Sequence, residues 1–170
     1  MSPVFYDIEA SALNGFPIEI GWAQVNEIGH VVSESYLIRP VSSWDLKGNW
    51  DDNAEKLHGI SKKLLLKNGI AVDEVAARMN NALRNRELFS DSGFDEAWLQ
   101  QIFDETALTP SFIVRRTSCE VIIRNRATQL GTSGKSLRKL QHEASQLSPI
   151  RHRAEADACY WATIWKLIGS

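Results

Sequence analysis

The chain lacks most of the features that announce a compartment or a partner. It has only two cysteines, Cys119 and Cys159, at a separation that fits neither a metal site nor a disulfide framework. Both have the neighbours of core thiols, which points to a reducing cytoplasm. No apolar run approaches the roughly 18 uninterrupted residues that a membrane span needs. Met1–Glu9 shows no basic region leading into a long apolar stretch, so no secretory leader is expected. A charge excess is missing too: 19 Lys and Arg stand against 21 Asp and Glu, a formal net charge of −2. That counts against a protein that coats nucleic acid by bulk charge. It leaves room for an enzyme that grips one strand end in a cleft where cations supply the positive charge. Gly131-Thr132-Ser133-Gly134-Lys135-Ser136 has too few residues between its glycines for a phosphate-binding loop, and no apolar strand runs into it. It reads as a turn that starts a helix.

What is present suits one folded domain over residues 1–170. The composition is 44% hydrophobic and 24% charged, and the length buries a sizeable core. Val4–Ile8, Ile18–Val25 and Val31–Ile38 read as strands, with Asn14-Gly15 and Ile28-Gly29 as turns. Such short connections predict an antiparallel meander. From Pro40 a polar, Trp-containing segment through Asn53 reads as an irregular loop. Val72, Val75, Ala76, Met79 and Leu83 recur at helical spacing. A short strand over Glu87–Ser90, a helix over Phe94–Phe103 and a strand over Phe112–Val114 follow. Helices are expected over Cys119–Leu130, Lys135–Gln146 and Arg153–Ile168, with Pro149 between the last two. The fold class is therefore α/β: a mixed sheet with antiparallel edge strands, flanked by helices.

Acids stand where apolar residues would be expected. Asp7 and Glu9 alternate with Val4, Tyr6 and Ile8, so both share a strand face with Phe5. Asp95 opens a helix one turn before Leu99 and faces the core side. Asp157 heads the stripe Trp161, Ile164, Ile168. His152 lies near the start of that last helix, a place suited to a base. Each has an ordinary explanation alone: a solvated strand end, a first-turn acid, a surface histidine. Together, carboxylates aimed at packed surfaces repel unless cations compensate. Oxygen ligands select hard ions, Mg²⁺ or Mn²⁺, and two such ions about 4 Å apart suit phosphodiester hydrolysis.

These motifs resemble the DEDDh 3'→5' exonucleases, the family of the bacterial proofreading subunit, ribonuclease T and oligoribonuclease, with a ribonuclease H-like fold. Phe5-Tyr6-Asp7-Ile8-Glu9 is similar to the first motif, Phe94-Asp95 to the second, and His152 through Asp157 to the third. Ile18-Glu19-Ile20-Gly21 resembles the second strand, and Lys56-Leu57-His58-Gly59-Ile60-Ser61 the His-Gly-Ile loop. The resemblance implies that Asp7 bridges two Mg²⁺ or Mn²⁺ ions, that Glu9 and Asp157 complete the first site, and that Asp95 holds the second ion through water. It makes His152 the general base, sets Ala10 and Ser11 beside the terminal nucleotide and its 3'-hydroxyl, and packs His58 and Ile60 near the terminal base or sugar. The implied partner is the single-stranded 3' end of DNA or RNA; a homodimer or a polymerase partner is compatible, and a non-catalytic binding module of the same fold is the alternative. The chain departs from the family where Ala10-Ser11-Ala12-Leu13 replaces threonines and a glycine, and where Ser90-Asp91 stands in place of an asparagine. Arg151 and Arg153 flank the proposed base and could meet phosphates; Trp44 and Trp50 could stack on bases or pack in the loop.

Overall fold

In the computed structural model, residues 2–148 and 152–169 are described. Val4–Ala10 (β1), Pro17–Val25 (β2) and Val31–Leu37 (β3) form the antiparallel meander. Glu87–Phe89 (β4) then pairs in parallel with β1, and Ile113–Val114 (β5) in parallel with β4, giving the order β3-β2-β1-β4-β5. The mixed sheet with antiparallel strands at one edge is as expected from the sequence.

Alternation along β1 feeds two cores. Val4, Tyr6 and Ile8 pack on one face with Val75, Ala76 and Met79 of Val72–Ala82 (α3) and with Leu99, Ile102 and Phe103 of Gly93–Asp104 (α4). Phe5 points the other way. It meets Cys119 and Ile123 of Cys119–Gln129 (α5), Ala144 of Gly134–Leu147 (α6), and Ala158, Ala162 and Ile164 of Ala154–Ile168 (α7). Each fully buried aliphatic side chain contributes about 1.5–3 kcal/mol of transfer free energy. The alanines of α7 let it lie close on β2. A Cβ on Gly21 would stand 2.3 Å from the Glu155 backbone nitrogen, so only glycine fits under this helix.

Two short helices are absent from the sequence reading. The segment expected to be irregular through Asn53 already turns helical at Asp52, forming Asp52–His58 (α1), and Lys62–Asn68 (α2) follows. Seven residues give too few repeats for hydrophobic periodicity to register. Their capping signals are local. The Asp51 side chain accepts from Asn53 N at 2.7 Å, Gly59 closes α1 with φ 72°, and the Ser61 side chain accepts from Leu64 N at 3.1 Å. Ile60 and Leu65 build a third core with Phe16 and Ile18. Trp44 stacks on Phe16 with ring centroids 5.1 Å apart, and Trp50 Nε1 donates to Glu55 at 2.8 Å, so both indoles are packing residues. The Gly131–Ser136 segment starts α6, with Ser133 capping Ser136 N at 3.2 Å. The expected break at Pro149 lies outside the described residues, as does Arg151. No described helix is long and apolar enough to cross a membrane.

Candidate active site

The acids converge where β1 ends. Its pairing with β2 is irregular between Glu9 and Ala10, and the strand face that carries Phe5 carries Asp7 and Glu9 toward α7. On α7, Asp157 sits in the first turn and is 6% exposed. What brings that turn to the sheet is Glu19, opposite Glu9 on β2 and 2% exposed. Glu19 accepts from Arg153 and from the Ala154 backbone N–H, while Ser33 and Ser35 of β3 donate to Glu155 at 2.8 and 3.1 Å. Arg153, read from sequence as a phosphate contact, is thus engaged within the protein. In the sequence Glu19 stands out only as part of the strand motif Ile18-Glu19-Ile20-Gly21. The signal that identifies it is a lone acid inside the apolar run Pro17–Ala23, which needs a buried partner.

Asp95 arrives from the other side of β1. Ser92 caps α4, accepting from Phe94 N at 3.2 Å, and the first turn then aims Asp95 inward at 1% exposure. Before that cap, Asp91 extends from the loop after β4.

These side chains form two carboxylate groups with one member in common. Ligand atoms of Asp7, Glu9 and Asp157 lie within 4.8 Å of one another, and so do those of Asp7, Asp91 and Asp95. The energetic cost shows in their protonation. Burial, then repulsion from Asp95, Glu9, Asp157 and Asp91, pushes the Asp7 carboxyl well above the usual carboxylate range. Burial, with Asp157 and Glu19 adding to it and Arg153 opposing, lifts Glu9 to about 7. Burial and Asp91 lift Asp95 to about 8, against hydrogen bonds from Ser90, Ser92 and Ile8. Asp95 Oδ2 is buried with no hydrogen-bond partner among the described residues. Crowded acids with an orphaned buried oxygen fit divalent cations, and an all-carboxylate donor set fits hard ones. A cavity of about 410 Å³ opens at the far end of the sheet, lined by Pro3, Arg86 and Trp165 among others, and holds no such cluster.

His152 belongs to neither group. It is exposed and adopts φ 58°, and its backbone N–H donates to Asp157 Oδ2 at 2.8 Å. Left-handed backbone at a residue other than glycine stores strain, a feature concentrated at functional sites. Ala10 is buried beside the acids at the end of β1. Ser11 is wholly buried; its hydroxyl donates to Asn49 O at 2.7 Å and accepts from Phe16 N at 3.0 Å. Its side chain therefore ties together the loops below the cleft. His58 is buried with Nδ1 accepting from Ile60 N at 3.0 Å, and burial lowers its imidazole below the ordinary value. Ile60 is wholly within the third core.

The architecture is a ribonuclease H-like α/β fold shared with solved exonuclease structures. Escherichia coli exonuclease I in complex with a dA16 oligonucleotide superposes with a TM-score of 0.65 at 16% identity, over 98% of this chain and 40% of that one. The zinc-bound form of the E. coli exonuclease I complex with single-stranded DNA gives 0.65, 16%, 98% and 40%. Exonuclease X in complex with 5' overhanging duplex DNA gives a TM-score of 0.55 at 15% identity, over 97% of this chain and 89% of that one. The chain thus spans about 40% of the length of the exonuclease I structures it matches. No protein-family model matches the chain, and no curated protein matches it in sequence.

Proposed function

We infer that the chain is a metal-dependent 3'→5' exonuclease that hydrolyses the terminal phosphodiester of single-stranded DNA or RNA and releases nucleoside 5'-monophosphates. The observation that carries this reading is the sharing of Asp7 between two carboxylate groups, each with ligand atoms within 4.8 Å, on a fold also found in exonucleases crystallised with DNA. Asp7, Glu9 and Asp157 would hold one Mg²⁺ or Mn²⁺, and Asp7 with Asp95 a second. Such a pair of cations stabilises both the attacking and the leaving oxygen of an in-line displacement.

The chain's own residues do the rest. His152 accepts the proton of the attacking water on its imidazole, as a general base. Its backbone N–H orients Asp157 through Oδ2, which couples base and ligand in one turn. Ala10 and the backbone at Ser11 border the terminal nucleotide and its 3'-hydroxyl. His58 and Ile60 support that wall from beneath, packing toward the terminal base or sugar. Cytoplasmic residence and a homodimer or polymerase partner belong to the same reading.

The test is degradation of 5'-labelled single-stranded DNA, single-stranded RNA and di- to pentanucleotides with Mg²⁺ or Mn²⁺. A stepwise ladder with mononucleotide release supports the reading and sets the substrate preference. Strand binding without turnover under either ion would replace it with a non-catalytic module.

A further inference from the structure

We propose that Asp91 is a direct ligand of the second divalent cation, completing with Asp7 and Asp95 a position that fills before any nucleic acid binds. This rests on the reading that the acidic cleft holds cations, and adds to it a residue outside the motif pattern.

The ligand atoms of Asp91 fall within 4.8 Å of those of Asp7 and Asp95. An exposed acid near others is ordinary. Here the group also includes a side chain 1% exposed, Asp95, whose buried Oδ2 has no hydrogen-bond partner among the described residues. A polar atom buried that way costs free energy unless something meets it. Asp91 is also held in place: its Oδ2 accepts from Trp161 Nε1 at 3.2 Å, which fixes the carboxylate while leaving the other oxygen for a cation. Trp161 lies one turn along α7 from Asp157, so a single helix carries a ligand of the first position and the residue that orients a ligand of the second.

The charge is what matters. An uncharged side chain at position 91 would add no charge to the cation site. A carboxylate there raises the count of negative ligands, and affinity for hard divalent ions follows that count.

The experiment is Mn²⁺ binding to the full chain without nucleic acid, followed by electron paramagnetic resonance of free ion and by calorimetry. The expected result is about two Mn²⁺ per chain, with Asp91→Asn removing the second or weakening it at least about tenfold. Trp161→Phe keeps the carboxylate and frees it, and should weaken the same position severalfold. Circular dichroism checks that both variants fold. Two ions of unchanged affinity in Asp91→Asn, or one ion in wild type, overturns the proposal while leaving the exonuclease reading intact. No Mn²⁺ in wild type without nucleic acid also overturns the proposal, and the degradation assay then decides the exonuclease reading separately.

Discussion

Glu19 accepts three hydrogen bonds from one turn of chain: Arg153 Nη2 at 2.5 Å, Arg153 Nε at 2.9 Å and Ala154 N at 3.0 Å. Glu19 is buried and Arg153 is partly exposed, so the pair is only partly screened by solvent. Its consequence is positional: β2 grips the start of α7 and sets Asp157 against Asp7 and Glu9. Glu19→Ala strands a buried backbone N–H and should cost on the order of 1–3 kcal/mol, read as a lower urea midpoint. It should also weaken Mn²⁺ binding, which simple loss of stability would not do to the folded fraction. Glu19→Gln keeps an acceptor for Ala154 N and should recover part of both. Unchanged Mn²⁺ affinity in Glu19→Ala would remove its positioning role.

Asp7 feels every other acid of the cleft. Asp7→Asn removes the shared ligand and relieves that repulsion. Cleavage should fall on the order of 10²–10³-fold or more, while thermal stability in chelator rises. A variant that cleaves at the wild-type rate would mean the centre lies elsewhere.

The raised carboxyls make metal-free stability depend on pH with a definite sign. Glu9 at about 7 and Asp95 at about 8 bind protons in the folded chain that the unfolded chain releases near its ordinary carboxylate values. Their contribution is fully present below about pH 4, falls as pH rises, and is lost above about pH 8. In chelator, the melting temperature of wild type relative to Asp95→Asn should therefore decline from pH 5 to pH 8.5. Saturating Mg²⁺ should flatten the decline, because bound cations replace the protons. A constant difference in chelator would show that Asp95 is not raised.

Much of this site is legible in sequence because its acids sit inside regular elements. Asp7 and Glu9 follow the two-residue period of β1, and Asp95 and Asp157 the helical period of α4 and α7, so their faces follow from spacing alone. The meander follows from short turns. The helices α1 and α2 do not, because seven residues are too few to show a period. Asp91 shows in the sequence only as an added carboxylate near the cleft; its place beside Asp7 and Asp95 depends on a loop held by the Ser92 cap and by Trp161 some 70 residues later. Ser11 resembles a nucleotide contact in sequence, yet its hydroxyl closes two loops, and only the tertiary contact with Asn49 reveals it.

Gly21 tests how tightly α7 must lie on the sheet. A Cβ there meets Glu155 N at 2.3 Å and Ala154 C at 2.5 Å, backbone atoms that cannot rotate away. Gly21→Ala should cost about 1–3 kcal/mol through overpacking and lift the first turn of α7, so that cleavage falls by more than the unfolded fraction explains. Activity that simply tracks the folded fraction would mean that the helix start tolerates displacement.

His152 offers the cleanest separation of chemistry from metal binding, because it joins neither carboxylate group while its neighbour Asp157 does. Alanine is a poor probe at φ 58°, whereas asparagine tolerates left-handed backbone. His152→Asn therefore keeps the turn and the N–H bond to Asp157 while removing the basic nitrogen. The turnover rate should fall about 10²–10⁴-fold, with Mn²⁺ stoichiometry and melting temperature close to wild type. If turnover survives at the wild-type rate while Mn²⁺ still binds, the proton leaves the attacking water by another route and His152 serves only to shape the turn.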